Sequence, residues 1–564
     1  MPAIPALPPP RVLWALFAFL ALLWFVSLDA RRLIHPDEGR YAEIAREMVA
    51  TGDWVTPRLN GLKYFEKPPF QYWATAGAYQ LFGIHEWGAR LWPALAGFLS
   101  VLAIGYAGVA LGGATLGAFA GLALAGTLWH AGIAQIVTLD SGLSFFLALG
   151  FAGFVIAQRD GIGPGERRSW MWVAWAALAG ATLSKGLIGL VLPGGALVAY
   201  TALTRDFALW RRLHLASGLV LYLALTAPWF IAVARANTEF LQFFFIHEHF
   251  QRFLTTEHRR TGAWYYFIPI VLIGIAPWLI VLTCGARSAW QEGNANALGF
   301  SWQRFALVWA AFTFLFFSAS GSKLPSYILP MFPPLALVIG WLLMRIDRRT
   351  LFAQTLWVAG LSVALAVGVL LTYDRYAPNF ANPQLPANVL IAFGPWAKAG
   401  MALAATGSVA ALVVFRSGVR TATARFWGIA VISLATLGGL QVAVAGFDVF
   451  SPMRSASAIL RTAQASAGFA ADAPFYQVEM YDQTVPFYLG RTTRLVAFRD
   501  ELALGIDAEP AKQIATTEAW VAEWEALPRA YAMMPPELYA KLAGVSVPMR
   551  ELARDPRRVI VSRQ

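Results

Sequence analysis

Residues 30–73 read ARRLIHPDEGRYAEIAREMVATGDWVTPRLNGLKYFEKPPFQYW, and ionisable side chains crowd this stretch although apolar segments lie on both sides of it. The acidic pair Asp37 and Glu38 stands near its start, and a basic, aromatic turn from Lys63 to Lys67 stands near its end. Because the flanking apolar segments are predicted to cross a membrane, both features are expected at one membrane face. A charged, solvated loop between two spans is the alternative interpretation.

A short amphipathic helix is predicted to begin at Asp37. Pro36 directly precedes the acidic pair, which suits a helix start, and the helix dipole favours carboxylates in a first turn. Apolar residues then recur at helical spacing, charged residues occupy the other face, and Gly52 ends the pattern. Beside a membrane span, such a helix is typical of a segment that lies flat on the membrane surface.

The composition of the whole chain is that of an integral membrane protein. Its 564 residues are 58% hydrophobic and 13% charged, whereas soluble domains carry about 25% charged residues. Cys284 is the only cysteine, which excludes an intramolecular disulfide and a cysteine-based metal site. The net charge of +12 favours anionic partners such as membrane lipids, although basic cytoplasmic loops account for part of it. No nucleic-acid partner is expected.

Thirteen apolar segments are predicted to cross the membrane. Arginine-rich connections alternate with arginine-poor ones, so the positive-inside rule puts the N-terminus inside and the 30–88 loop and the C-terminus outside. The sequence therefore predicts an all-α polytopic membrane domain over residues 1–446. The predicted segments are 12–28, 89–111, 113–130, 141–158, 170–184, 186–203, 215–234, 264–284, 305–319, 328–344, 351–372, 391–415 and 426–446.

Residues 447–564 differ in composition from the rest of the chain. They contain no apolar segment of spanning length, and β-rich stretches at 494–498 and 559–561 alternate with a helical pattern over 516–527. We expect a small α/β domain outside the membrane. No phosphate-binding loop, glycine-rich dinucleotide turn, HExxH motif or internal repeat is found in the sequence.

Two ionisable residues lie within otherwise apolar sequence, Asp140 in VTLDSG and Lys185 in TLSKGL. Burying either one unpaired in a membrane would cost at least ~2.5 kcal/mol, so both are expected to line a polar cavity. Two structural interpretations stay open, a helix-capping carboxylate for Asp140 and a lysine that reaches the lipid headgroups for Lys185.

A cavity with carboxylates on one side and cations on the other suits displacement at a carbon that carries a phosphate. The cations would hold the leaving phosphate, and a carboxylate would act on the attacking group or on positive charge at a sugar carbon. No cofactor is required for this chemistry. Glu66 and His247 are nevertheless candidates to share a divalent metal such as zinc.

The sequence resembles a known family of membrane glycosyltransferases. HPDEGRYAEIAREM and GDWVTPRLNGLKYFEKPPFQYW in the first loop, followed by LDSG, SKG and GSKLPSYILP, are similar to the lipid A 4-amino-4-deoxy-L-arabinose transferases. These enzymes belong to the C-type glycosyltransferase fold and to the protein mannosyltransferase-like superfamily. The resemblance covers the membrane region well and carries no distinctive motif over 447–564.

The resemblance implies a donor, undecaprenyl phosphate-aminoarabinose, and an acceptor, the phosphate groups of lipid A at the periplasmic face of the bacterial inner membrane. It also implies resistance to polymyxin, and a monomer is expected. Asp37 matches the loop carboxylate of the family and is the leading catalytic candidate, with Glu38 and Asp140 as further acidic candidates. The residues expected to bind the donor phosphate and sugar are Lys67, Arg252, Tyr64, Lys185, Tyr327 and Arg40.

The acceptor decides how Asp37 is expected to act. A hydroxyl acceptor needs a base, whereas a phosphate monoester is already ionised at neutral pH, with a second pKa near ~6. We therefore favour positioning and electrostatic stabilisation over proton removal for Asp37.

Two other functions are compatible with the sequence. One is a related transferase with another sugar or acceptor, such as mannose transfer to protein. The other is a polyprenyl-lipid transporter, which is disfavoured because the sequence shows no repeated halves.

Overall fold

A bundle of apolar helices precedes a smaller mixed domain. The computed structural model describes residues 5–245, 262–293, 295–382, 385–417 and 423–563. In these ranges eight helices are long and apolar enough to cross a membrane, or nine if a pair bent by 72° counts as one span. The helices up to residue 446 are α1 (Pro10–Phe25), α2 (Asp37–Thr51), α3 (Phe70–Phe82), α4 (Glu86–Gly112), α5 (Ala114–Ala125), α6 (Leu128–Ile133), α7 (Leu139–Ala157), α8 (Pro164–Lys185), α9 (Ile188–Thr204), α10 (Leu215–Ala236), α11 (Phe267–Gly274), α12 (Leu279–Gln291), α13 (Trp302–Ala319), α14 (Phe332–Arg345), α15 (Arg348–Tyr376), α16 (Ala387–Ser417) and α17 (Ala424–Gly446).

Each of the thirteen predicted segments contains a helix, but not every helix has the length of a full span. The three shorter apolar helices have 16, 12 and 17 residues, whereas a straight span needs about 20. Glycines with positive φ account for two of the interruptions, because Gly113 separates α4 from α5 and Gly186 separates α8 from α9. The polytopic helical architecture is confirmed, and the number thirteen stays a prediction.

Close helix packing in the bundle depends on small residues. A Cβ atom on Gly108 of α4 would lie 2.7 Å from the Cα of Gly117 in α5. A Cβ atom on Gly400 of α16 would likewise lie 2.6 Å from the carbonyl oxygen of Gly439 in α17. Backbones this close are typical of membrane helices that associate through glycine.

The first loop folds as two helices joined by a hairpin. Helix α2 begins at Asp37 as predicted, and Gly52 ends it with φ 72° and an N–H that donates to the Met48 carbonyl. Strands β1 (Arg58–Leu59) and β2 (Leu62–Lys63) pair through the Asn60-Gly61 turn. Both faces of α2 are buried within the protein, its charged face included. The location of this helix at the membrane surface stays a prediction.

The expected α/β domain is confirmed. Its six strands have the order β5-β4-β3-β6-β8-β7, in which β3 runs parallel to β4 and β6, and β8 runs antiparallel to β6 and β7. Trp520 and Trp524 are buried against one face of this sheet. The strands are β3 (Phe475–Val478), β4 (Arg494–Val496), β5 (Gln513–Ile514), β6 (Tyr531–Met534), β7 (Arg550–Arg554) and β8 (Val559–Ser562). The helices are α18 (Ser451–Arg454), α19 (Ser457–Ala467), α20 (Thr484–Leu489), α21 (Ala503–Ala508), α22 (Thr517–Ala526) and α23 (Pro536–Gly544).

Candidate active site

Glu38 joins the start of α2 to two membrane helices. Its carboxylate accepts hydrogen bonds from Arg31 at 2.6 and 2.8 Å and from Arg90 at 3.1 Å through both Nε and Nη2. The backbone amides of Ile34 and Val137 also donate to it, at 3.2 and 3.1 Å. Burial by itself would raise the pKa of Glu38, but the charges of Arg31 and Arg90 outweigh burial and hold that pKa well below its usual value. Glu38 is therefore a permanent anion at the centre of the scaffold.

Asp37 has the opposite environment although it is the next residue. Its side chain is 43% exposed, and Oδ1 accepts one hydrogen bond, from Arg40 Nη1 at 2.9 Å. As the first residue of α2 it lies at the positive end of the helix dipole. Of the acidic pair, Asp37 is the carboxylate that a substrate can reach. The predicted catalytic role of Glu38 stays a prediction, and its contacts indicate a positioning role.

Arg40 connects Asp37 to the C-terminal domain. Its guanidinium is buried and forms a second ion pair with Glu501, which follows strand β4. Although burial lowers the pKa of Arg40, neighbouring Tyr64 and Glu501 raise it well above its usual value. Burial raises the pKa of Glu501 despite the charge of Arg40. The site thus contains a carboxylate from outside the membrane domain, which no sequence motif indicated.

Two buried polar atoms at Arg40 and its neighbour Tyr64 have no hydrogen-bond partner within the described ranges. They are Arg40 Nε and the hydroxyl of Tyr64. Both residues were predicted to bind the donor, and each interacts electrostatically with the other. Because buried polar atoms are rarely left unsatisfied, these two are candidates to bind a polar ligand group such as a sugar hydroxyl.

Glu66 and Lys67 lie between the hairpin and α3, and both are half-buried. Lys67 Nζ donates to the Glu66 carbonyl oxygen at 2.6 Å. Arg252 and His247 lie outside the described residues. Of the two residues predicted to hold the donor phosphate, only Lys67 is therefore described. Of the two predicted metal ligands, only Glu66 is described. Among the residues described, no group of three or more His, Cys, Asp and Glu side chains lies close enough to hold a metal. The metal site stays a prediction.

Asp140 and Lys185, predicted to share a polar cavity, form an ion pair with each other. Asp140 lies in the first turn of α7 and Lys185 is the last residue of α8. The Lys185 ammonium also lies over the Tyr327 ring, 4.4 Å from its centroid. Mutual pairing explains how the membrane domain holds both charges. Neither the capping nor the headgroup interpretation describes these contacts.

The N-terminal end of α7 links the two groups of site residues. Val137, just before α7, donates to Glu38, while Asp140 lies three residues further along. On the same helix Phe146 packs edge-on against Phe70, with ring centroids 4.8 Å apart. Phe70 in turn follows Lys67 by three residues. The first loop and the Asp140–Lys185 pair are therefore fixed to the same helix.

The C-terminal domain packs directly onto the start of α2. A Cβ atom on Gly39 would lie 2.7 Å from Thr484 Cγ2 and 2.8 Å from the backbone of Gln483 and Thr484. Asn60 of the hairpin also exchanges hydrogen bonds with Thr493, at 2.8 and 2.7 Å. The packing of the C-terminal domain against α2 and the hairpin therefore fixes the distance between Arg40 and Glu501.

We expect Gly39→Ala to reduce catalysis although Gly39 carries no functional group. The added methyl group must displace backbone of α20, which lowers the free energy of unfolding by about 1–3 kcal/mol. Displacing the first turn of α2 by about 1 Å is expected to lower kcat up to ~100-fold. Turnover and thermal unfolding are measured together. Gly77→Ala in α3 is the matched control, since a Cβ atom there meets nothing within 4 Å; equal kcat in the two variants would contradict the prediction.

Comparison with known proteins matches the two parts of the chain to two different family models. Residues 11–249 match the dolichyl-phosphate-mannose-protein mannosyltransferase family, and residues 462–563 match the aminoarabinose transferase C-terminal domain. The crystal structure of ArnT from Cupriavidus metallidurans bound to undecaprenyl phosphate is 37% identical, with a TM-score of 0.91 over 99% of each chain.

Curated relatives extend the comparison. The undecaprenyl phosphate-α-4-amino-4-deoxy-L-arabinose arabinosyl transferase of Aeromonas hydrophila is 32% identical over 69% of this chain and 71% of its own length. The protein of the same name from Aeromonas salmonicida is 34% identical over 63% of this chain and 65% of its own length. By sequence, by domain content and by fold, the chain belongs to the family of undecaprenyl phosphate-aminoarabinose arabinosyl transferases.

Proposed function

We propose that this protein transfers 4-amino-4-deoxy-L-arabinose from undecaprenyl phosphate to the phosphate groups of lipid A, and so confers resistance to polymyxin and cationic antimicrobial peptides. The observation that carries the proposal is the match over 99% of the chain to a relative solved with undecaprenyl phosphate bound. The exposed Asp37 beside the buried Arg40 supplies the charges that such a transfer needs. The family resemblance implies that lipid A is the acceptor, and a transfer assay tests this part of the proposal.

In this reaction the bond between the sugar carbon C1 and the donor phosphate oxygen breaks, and undecaprenyl phosphate leaves with the electron pair. A lipid A phosphate oxygen then bonds to C1. An ionised acceptor needs no base. Asp37 would stabilise positive charge at C1 and orient the sugar, while Lys67 and Arg252 would hold the departing phosphate. Tyr64 and Arg40 would bind the sugar through their unsatisfied donors.

The proposed topology is a monomer with thirteen spans in the inner membrane, with the active site and the C-terminal domain in the periplasm. Helices occupy all thirteen predicted segments, which supports the count. The basic connections at residues 159–168, 205–212 and 345–349 fall at the ends of helices opposite to Asp37, which supports the orientation by the positive-inside rule.

The direct test combines the purified protein with undecaprenyl phosphate-aminoarabinose and lipid A, and weighs the lipid A by mass spectrometry. We expect lipid A to gain one or more aminoarabinosyl groups. A parallel reaction replaces the donor by undecaprenyl phosphate-mannose, and another replaces the acceptor by a serine- and threonine-rich peptide. Transfer in either parallel reaction, without modification of lipid A, would support the related transferase instead. Movement of intact donor across vesicles without transfer would support a transporter.

A further inference from the structure

One buried lysine near the site has no carboxylate partner among the residues that the structure describes. Lys323 lies in the turn between α13 and the short helix Pro325–Met331, and it is only 7% exposed. Its ammonium donates to the carbonyl oxygen of Ser320 at 2.5 Å. No carboxylate within the described parts of the chain pairs with it. An ammonium group carries three donors, so a single neutral acceptor leaves both its charge and most of its hydrogen bonds unsatisfied.

The other lysines of this region are paired, which sets Lys323 apart. Lys185 forms an ion pair with Asp140, and Lys63 forms one with Glu239 at 2.7 Å. A charge taken out of water is strongly unfavourable unless it is paired. Within the described ranges, Lys323 therefore carries a buried positive charge that no carboxylate compensates.

Two unsatisfied hydroxyl groups precede Lys323 in the chain, one at the end of α13 and one in the turn that follows. The Oγ atoms of Ser318 and Ser322 are buried and have no hydrogen-bond partner in the ranges that the structure covers. The backbone at Gly262 closes over the side chain, since a Cβ atom there would lie 3.0 Å from Lys323 Cδ. One ammonium and two hydroxyls in six consecutive residues form a set of donors, and a phosphate group has the matching acceptors.

The position of this turn relates it to the active site. Tyr327, four residues after Lys323, carries the Lys185 ammonium over its ring. The same short helix is held against the bundle by Trp129, whose Nε1 donates to the Pro325 carbonyl oxygen at 3.0 Å. Lys323 is therefore connected to the Asp140–Lys185 pair through the short helix Pro325–Met331 that carries Tyr327.

We propose that Lys323, with Ser318 and Ser322, is a second phosphate-binding site, which takes a phosphate group of one of the two lipid substrates. The inference rests on the proposed function for its substrates. The donor phosphate and a lipid A phosphate share the chemistry that this site recognises. Lys67 and Arg252 are already predicted to hold the donor phosphate, so an acceptor phosphate is the expected occupant.

Lys323→Met tests the proposal because methionine keeps the length of the side chain and removes its charge. Steady-state transfer is measured while the donor and lipid A are varied in turn. Loss of a charge-assisted hydrogen bond is expected to raise KM for lipid A about tenfold to a hundredfold, with a smaller effect on kcat. Thermal unfolding without lipid is expected to occur at the same or a higher temperature, because an uncompensated charge has been removed.

The KM values of Lys323→Met distinguish a donor phosphate from a lipid A phosphate at this site. A raised KM for the donor alone assigns the site to undecaprenyl phosphate, and a raised KM for lipid A alone assigns it to the acceptor. Lys541→Met is the control, since Lys541 is exposed at the end of α23. Unchanged KM values for both lipids would overturn the proposal. A lower unfolding temperature for lipid-free Lys323→Met would also overturn it, because that result would show that the charge is paired within the protein.

Direct binding measurements test the phosphate site at Lys323 independently of the proposed transfer reaction. Undecaprenyl phosphate, lipid A and inorganic phosphate are each added to the intact protein in detergent, and the shift in unfolding temperature is recorded. At least one phosphate-bearing lipid is expected to raise the unfolding temperature of the parent protein and to raise that of Lys323→Met less. If the parent protein transfers no aminoarabinose but this difference persists, the proposed function fails and the phosphate site stands. Equal shifts in both proteins would refute the site.

Discussion

Asp37→Asn is expected to lower kcat about 10²- to 10³-fold while the protein stays folded. The size of the effect is that of removing one preorganised charge from a transition state. The fold is expected to survive because the Asp37 side chain is 43% exposed and makes one ion pair within the described residues. In addition, a first-turn carboxylate contributes only ~0.3–1 kcal/mol to a helix. Turnover at saturating donor and acceptor, measured beside thermal unfolding, checks both parts.

The matched control for this variant is Asp507→Asn. Asp507 is another exposed, arginine-paired aspartate, 63% exposed beside Arg499, but in the described ranges it forms no ion pair with Arg40. Asp507→Asn is expected to transfer sugar at the parental rate. Near-parental turnover by a well-folded Asp37→Asn would exclude Asp37 from the transition state and would direct attention to Asp140.

Glu38→Ala is expected to unfold the part of the site around Glu38. Asp37→Asn, at the other residue of the acidic pair, is expected to leave the protein folded. The substitution leaves the guanidinium groups of Arg31 and Arg90 buried with no carboxylate between them. Removing one partner of a buried ion pair costs about 3–5 kcal/mol in the free energy of unfolding. Denaturation in detergent, followed by tryptophan fluorescence, measures this loss.

Glu86→Ala provides the comparison for Glu38→Ala. Glu86 also pairs with an arginine of the first loop, Arg32, at 2.9 Å, but the Arg32 side chain is 40% exposed. A partly exposed pair contributes about 0–1 kcal/mol. Equal losses in the two variants would show that Glu38 does not organise the scaffold. Retained stability in Glu38→Ala would return Glu38 to the catalytic candidates.

Sequence patterns predicted the features that depend on interactions between residues close together in the chain, such as the ends of α2. The start of α2 after Pro36 and its end at Gly52 follow from capping preferences, which act within one turn of chain. Asn and Gly favour turns, and both Asn60 and Gly61 have positive φ in the hairpin that joins β1 to β2. Strands β3 and β6 were missed because they are buried on both faces, so their residues do not alternate between polar and apolar.

Pairings between distant residues could not be predicted in the same way. Asp140 and Lys185 were recognised as costly charges, but nothing in either sequence context named the other as its partner, 45 residues away. Glu501 lies in the unremarkable sequence RDEL, and its importance arises only when the C-terminal domain places it beside Arg40. The burial of α2 on both faces was missed for the same reason, since its covering domain follows by more than 400 residues.

The link from Asp37 through Arg40 to Glu501 bears on how the protein is made. A ribosome releases the membrane helices to the bilayer long before it reaches residue 501, because the chain is synthesised from its N-terminus. Throughout insertion, Arg40 lacks one of its two carboxylates and Gly39 lacks the surface of α20 against which it packs. Docking of the later domain therefore completes the pocket, and a nascent chain surrounded by lipid-linked sugars has no finished site in which to consume them.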